Sequence, residues 1–301
     1  MWILVTGAWG FIGKQLCEAL VQQGHQVVKF RGDVRSFENC KKNLRNIQAV
    51  YHLAAVLDEE NKKELFEVNV KGTQNMIEAA AKENIEQFIF VSSVTVMGDF
   101  QGIGVEETPI KAVTLYGQSK ADAEKLVWES QEMLPITIIR PALVIGANKY
   151  WKRIIELVQK GFPIIGDGKN LFQMVHTKDV IEALTLVLGK QECIGEIFIV
   201  AEEKPKTVEE IYLLIQKELG IKEKARKMPK WLGFLISYLS VLKARLFGGE
   251  TFLAPSHVKR MTKNRHYSTE KIEKLGWKPK YSTEQAIKET VKEVLAEKFV
   301  E

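Results

Sequence analysis

The chain has 301 residues, 43 Lys plus Arg against 38 Asp plus Glu, a net charge of +5, 46% hydrophobic residues and 27% charged ones. Those proportions exclude intrinsic disorder, collagen and a continuous coiled coil. At about 150 residues per domain the length points to two domains or one large one, and so small a positive excess gives no reason to expect a nucleic-acid partner.

In chain order, Met1 to Val5 lacks the positive flank of a signal peptide and runs straight into a Gly-rich turn, so it reads as a first strand. Further short, β-branched, non-alternating runs at 27–30, 49–53, 88–91 and 136–139 predict buried strands. Amphipathic stretches at 14–23, 62–83 and 119–132 predict the helices between them. Beyond Gly146 helical patterns dominate, at 150–160, 178–188, 208–219 and 283–296, interrupted by one run at 197–201 that returns to the sheet edge. Strand then helix, repeated, predicts an α/β fold: a Rossmann-type doubly wound parallel sheet with a smaller, mostly helical C-terminal lobe. The expected division is 1–148 plus 174–201 for the sheet domain and 149–173 plus 202–301 for the lobe, with the cleft between them as the default ligand site.

Cys17, Cys40 and Cys193 form no CxxC pair and have no His pair nearby, which indicates neither a disulfide framework nor zinc and fits a reducing, cytoplasmic compartment. His25, His52, His257 and His266 lack ligand spacing, so no metal is expected. His176, close to Asp179, reads as a structural histidine.

Gly7, Gly10 and Gly13 follow the first strand at once and open a helix at Phe11 and Ile12. Such a turn brings backbone N–H groups and a helix N-terminus to a pyrophosphate. Tyr116 and Lys120 are four apart on a predicted helix and share its face, where an ammonium lowers a phenol pKa that starts near ~10.

The spacing TGxxGxxG resembles the extended short-chain dehydrogenase/reductase family. Further matches in order are the Asn69 to Asn75 segment, Ser92 to Gly98 with Met97 in place of the usual Tyr, the YxxxK pair Tyr116 and Lys120, Arg140-Pro141, and the Val175 to Val180 segment. The resemblance implies that Tyr116 moves the substrate proton, Lys120 holds the nicotinamide ribose and Ser93 hydrogen-bonds the substrate oxygen, with Thr95 in reserve. It implies cofactor contacts at Gly7, Gly10, Phe11, Ile12, Gly13, Arg31, Asp33, Val34, Leu53, Ala54, Ala55, Asn69, Tyr116, Lys120, Pro141 and Val144.

The position that commonly carries the ribose-binding acid, eighteen past Gly13, is Arg31, which suits a 2′-phosphate and slightly favours NADP(H) over NAD(H). Asp33 nearby could restore the NAD preference. Only eighteen residues, 31–48, join the second strand to the next, where many relatives place an extra helix and strand.

Relatives acting on nucleotide sugars tend to carry polar diphosphate contacts where this chain has Leu143 and Phe172. Residues 228–242 hold one charge and aromatics at 231, 234 and 238, too few residues to span a bilayer at ~20. A core helix, a lid, and a weak peripheral membrane contact through 222–242 are all open, the last supported by Lys222, Lys224, Arg226, Lys227 and Lys230. This segment and Leu275 to Pro279 resemble the 3β-hydroxysteroid dehydrogenase and dihydroflavonol reductase members. The leading expectation is interconversion of a secondary alcohol and a ketone on a largely apolar small molecule. The alternatives are a nucleotide-sugar epimerase or dehydratase with tightly bound NAD, and a non-catalytic cofactor-binding protein. A homodimer through 62–83 and 119–132 follows from the resemblance alone.

Overall fold

Six short runs with apolar, β-branched cores pair side by side into one parallel sheet in the computed structural model, which describes residues 1–248 and 253–298. They are β1 (Trp2–Thr6), β2 (Gln26–Lys29), β3 (Ala49–His52), β4 (Gln87–Val91), β5 (Ile136–Pro141) and the edge strand Glu196–Val200. Their order across the sheet is Glu196–Val200, β5, β4, β3, β1, β2, and every pairing is parallel. β4 and β5 are buried along their whole length, which explains why their sequences do not alternate.

The helices cover both faces. α1 (Phe11–Gln22) follows β1, α2 (Phe37–Asn43) follows β2, and α5 (Leu115–Glu129) precedes β5. Leu4, Val50, Phe88 and Ile136 stand in register across four strands and pack with Met76 and Val127 from the helices. Each such side chain contributes about 1.5–3 kcal/mol by leaving water.

One expected element changes. The helix expected over 62–83 is broken into α3 (Lys62–Phe66), a π turn at Glu67–Lys71 and α4 (Gly72–Ala80), a break that turns Asn69 inward, as shown below. The abbreviated stretch 31–48 holds α2 and no strand, in keeping with its length, and among the described residues the sheet has no further strand beyond β2.

The chain divides into two units. One comprises Met1–Leu143, Thr177–Ala201 and Ser268–Lys278; the other comprises Val144–His176, Glu202–Tyr267 and the chain from Pro279 onward. The expected assignment of all of 202–301 to the second lobe therefore fails at Ser268–Lys278. The reason is Trp277, 1% exposed, whose indole N–H donates to the Asp179 carbonyl at 3.1 Å. Asp179 lies in α7 (Thr177–Val187), which packs beside α1, and α11 (Glu270–Glu273) adds the fully buried Ile272.

The second unit is mostly helical: α6 (Lys149–Gln159), α8 (Val208–Glu218), α9 (Lys230–Phe247), α10 (Pro255–Met261) and α12 (Thr283–Lys298). α8 lies along α12. Short strands tie the loops, Lys206–Thr207 antiparallel to Leu171–Phe172 and Lys227–Met228 parallel to Ile164–Ile165. Among the described residues no helix is long and apolar enough to cross a membrane.

Replacing Trp277 by Ala removes a filled core volume and the indole hydrogen bond to α7. Urea unfolding is expected to show a loss of about 3–5 kcal/mol; an unchanged midpoint would mean that Ser268–Lys278 does not hold the first unit together.

Candidate active site at the carboxyl edge of the sheet

All six strands point the same way, so their carboxyl ends share one edge, and successive strands are added on opposite sides of β1, so the strand order reverses between β1 and β3, where an open α/β sheet leaves its ligand crevice. Thr6, at the end of β1, organises that point. Its Oγ1 accepts the N–H groups of Leu53 (3.1 Å) and Ala54 (3.0 Å) and lies 2.9 Å from His52 Nδ1. His52 Nε2 is 3.0 Å from Thr73 Oγ1, whose hydroxyl donates to the Asn69 carbonyl. With the Thr73 proton so committed, His52 carries its proton on Nε2 and accepts from Thr6. Burial, reinforced by the Lys120 charge, pushes its pKa down to about 3, so the ring stays neutral.

The glycine turn is built to bring backbone together. Gly7 has φ +65°, and a Cβ there would lie 2.9 Å from the Ala54 nitrogen; a Cβ on Gly13 would lie 2.1 Å from the Gly7 oxygen. α1 starts at Phe11 on Gly10 with no side-chain cap and no acid in its first turn. Unpaired N–H groups and the positive end of the helix dipole are thus left for an anion. This cradle fits a dinucleotide pyrophosphate on the chain's own geometry.

Beside it, Arg31 is exposed, its backbone N–H bonded to Asn43 Oδ1. Asp33 is held by Arg35 through contacts of 2.6 to 3.0 Å, and that guanidinium keeps its carboxyl below the usual range. Val34 is buried in the core against Gly72. Ala55 is exposed, Pro141 ends β5 in the sheet, and Val144 belongs to the second unit, where its carbonyl accepts the Trp151 indole N–H. Asn69, on the π turn, gives both amide hydrogens to protein, to the Val56 carbonyl and Ser119 Oγ, and accepts the Val56 N–H. Its amide therefore positions the loop after β3 against α5.

α5 opens on Thr114, whose side chain accepts the Gly117 N–H. Tyr116, Lys120 and Glu124 then recur every four residues on one face. Lys120 is 2% exposed; its Nζ donates to the Val91 carbonyl at 2.7 Å and sits 4.2 Å over the Phe90 ring. Burial lowers its pKa to about 7, against the opposing pull of Glu124. Tyr116, one turn earlier, is half-buried and its backbone N–H bonds to Glu59. Ser93 lies just past the end of β4, and its Oγ accepts from the Thr95 N–H (3.2 Å) and the Thr95 hydroxyl (3.0 Å). Its own proton is left to donate onward, so Thr95, the reserve residue, supports Ser93.

Glu124, not anticipated from the sequence, fixes this arrangement. Arg140 reaches it through Nε at 3.1 and 3.2 Å and through a terminal nitrogen at 2.5 Å, and Ser92 Oγ donates to it at 2.5 Å. Arg140 also donates to the Glu106 carbonyl. The available signal was Glu124's place one turn after Lys120, together with an Arg on an otherwise apolar strand.

His176 stacks on Tyr281 at 4.2 Å with Nε2 3.4 Å from Glu289, all within the second unit, which fits its structural reading. Among the described residues no His, Cys, Asp or Glu cluster could hold a metal.

Residues 3–201 match the model of the NAD dependent epimerase/dehydratase family. N-acetyl-alpha-D-glucosaminyl-diphospho-ditrans,octacis-undecaprenol 4-epimerase of Escherichia coli O157:H7 is 24% identical over 96% of this chain and 94% of its own length. 3beta-hydroxysteroid-dehydrogenase/decarboxylase isoform 2 of Arabidopsis thaliana is 26% identical over 96% of this chain and 61% of that protein. The fold is that of UDP-glucuronic acid 4-epimerase from Bacillus cereus, solved with NAD: TM-score 0.78, 22% identity, 98% of this chain and 99% of that one.

Two predictions follow from the buried charges. Unfolded Lys120 keeps its proton to about pH 10.5 while the folded residue loses it near 7. The unfolded state then binds more protons across that window, so this residue's contribution to stability rises with pH. Comparing denaturation of the wild type and Lys120→Met without nucleotide should show that rise in the difference; a flat difference would contradict it. Glu124→Ala leaves Arg140 buried and unpaired and should cost about 3–5 kcal/mol by urea unfolding; a loss below 1 kcal/mol would mean that the pair is solvated.

Proposed function

The chain belongs to the NAD dependent epimerase/dehydratase family, and we propose that it epimerises a secondary alcohol on a diphosphate-linked sugar, oxidising it to the ketone and reducing it again around one tightly held NAD. The observation that carries the chemistry is Lys120, enclosed with its nitrogen on the end of β4 and one helical turn from Tyr116. Ser93, with a hydroxyl proton to donate, hydrogen-bonds the substrate oxygen. Tyr116 takes the alcohol proton and later returns it, its phenol acidified by the Lys120 charge. Lys120 would also hold the ribose of the bound cofactor, and the N–H groups of the glycine turn would hold its pyrophosphate. The bound nicotinamide supplies hydride uptake and return.

The choice of a sugar diphosphate is supported by the E. coli 4-epimerase, matched over nearly all of both chains. The diphosphate is that of a nucleoside or, as that relative's name states for its own substrate, of a polyprenol. A second reading, reduction of an apolar ketone with exchangeable NADP(H), draws support from Leu143 and Phe172, where sugar-nucleotide enzymes carry polar contacts. The exposed Arg31 beside an Asp33 already ion-paired with Arg35 and the Arabidopsis relative support it too.

Tyr116→Phe is expected to lower turnover by about 10²–10⁴-fold with the melting temperature kept, assayed on UDP-glucose, UDP-N-acetylglucosamine and a polyprenyl-diphosphate-linked sugar by separating the epimers. Unchanged turnover would contradict the assigned chemistry. Inert sugars together with NADPH-dependent reduction of apolar ketones would transfer the proposal to the second reading.

A further inference from the structure

α9 has two unlike faces. Leu232, Phe234 and Ile236 pack against a core of Ile165, Met228, Leu253 and Val258, and Gly233 lets the helix sit so close that a Cβ would lie 2.6 Å from an Ile165 methyl. On the other side Trp231, Leu235, Tyr238, Leu239, Leu242 and Leu246 are 46–67% exposed. Their spacing puts them on one stripe of helix about 22 Å long. Six large apolar side chains exposed in one row is more than an ordinary surface carries.

The charge around the stripe is one-sided. α9 carries Lys230, Lys243 and Arg245 and no acid. Between Lys222 and Arg265 the sequence holds eleven Lys and Arg against two acids, Glu223 and Glu250. The chain's positive excess is therefore concentrated here, and the remainder is net acidic. Of this set Lys227 is paired with Glu209, Lys263 and Arg265 have partners within the protein, and Arg265 is buried.

We propose that α9 is an interfacial anchor that lies in the plane of an anionic lipid surface, its stripe at the acyl boundary and its cations among the headgroups. Trp231 and Tyr238 suit the headgroup level, where an amphipathic ring has one wet end and one apolar end. The helix lies on the bilayer because it does not meet the length and hydropathy of a span. Charge complementarity selects lipid over a second copy of the chain: a two-fold contact through this stripe would bring Lys243 and Arg245 against their own kind, with no acid on the helix to pair them. The proposal rests on this unit's own surface and is independent of the substrate.

The test is flotation of the full chain with vesicles of phosphatidylcholine alone and of phosphatidylcholine with phosphatidylglycerol. Binding to the anionic vesicles that weakens with salt is expected, and a drop of about tenfold for both Leu239→Glu and Lys243→Glu, each with an unchanged thermal midpoint. Using two variants, one apolar and one charged, keeps the result readable if either misfolds. Absence of the wild type from the floated anionic fraction would overturn the proposal. So would a dimer in sedimentation that Leu239→Glu dissociates while vesicle binding persists, since the stripe would then be a contact between copies.

Discussion

The Glu124 carboxylate, 2% exposed, is held between Arg140 on β5 and Ser92 at the end of β4, while its own backbone belongs to α5. A charge so enclosed is tolerable only if it is paired and hydrogen-bonded, and that requirement fixes three elements against one another. With the helix face set by Glu124, Lys120 one turn earlier meets the Val91 carbonyl, and Tyr116 lies one turn earlier again on the same face. Removing the carboxylate would release the constellation as a unit, although Glu124 itself need touch no substrate.

A second constraint acts on the cofactor side. Thr6 and Asn69 bind the loop after β3 with side-chain groups whose hydrogen-bonding capacity is largely used within the protein. The Leu53 and Ala54 backbone is thereby held against Gly7, so the glycine turn has little freedom to move. The π turn at Glu67–Lys71 is what rotates Asn69 into that position, a local irregularity of the kind found at functional sites.

The sheet was legible in the sequence because its strands are buried on both faces and read as continuous apolar runs, and all six expected strands take part. The glycine turn and the Tyr116 and Lys120 pair were legible because each depends on spacing along the chain. Glu124 was not, because its partners Arg140 and Ser92 lie 16 and 32 residues away and only the sheet brings them together. The π turn was hidden by a sequence whose apolar periodicity runs through it. Trp277 looked like part of the C-terminal lobe because a distant segment returning to α7 leaves no local signature. The division of residues 228–242 among core, lid and surface needed the packed structure, which shows a helix with a buried and an exposed apolar face.

The most direct test of the central claim, a redox site closed around one retained nicotinamide, is to purify the protein without added nucleotide, denature it, and identify the released cofactor by mass spectrometry. The account predicts NAD in near-stoichiometric amount. An empty protein that then binds NADPH more tightly than NADH would contradict it and make Arg31 the residue that selects an exchangeable cosubstrate.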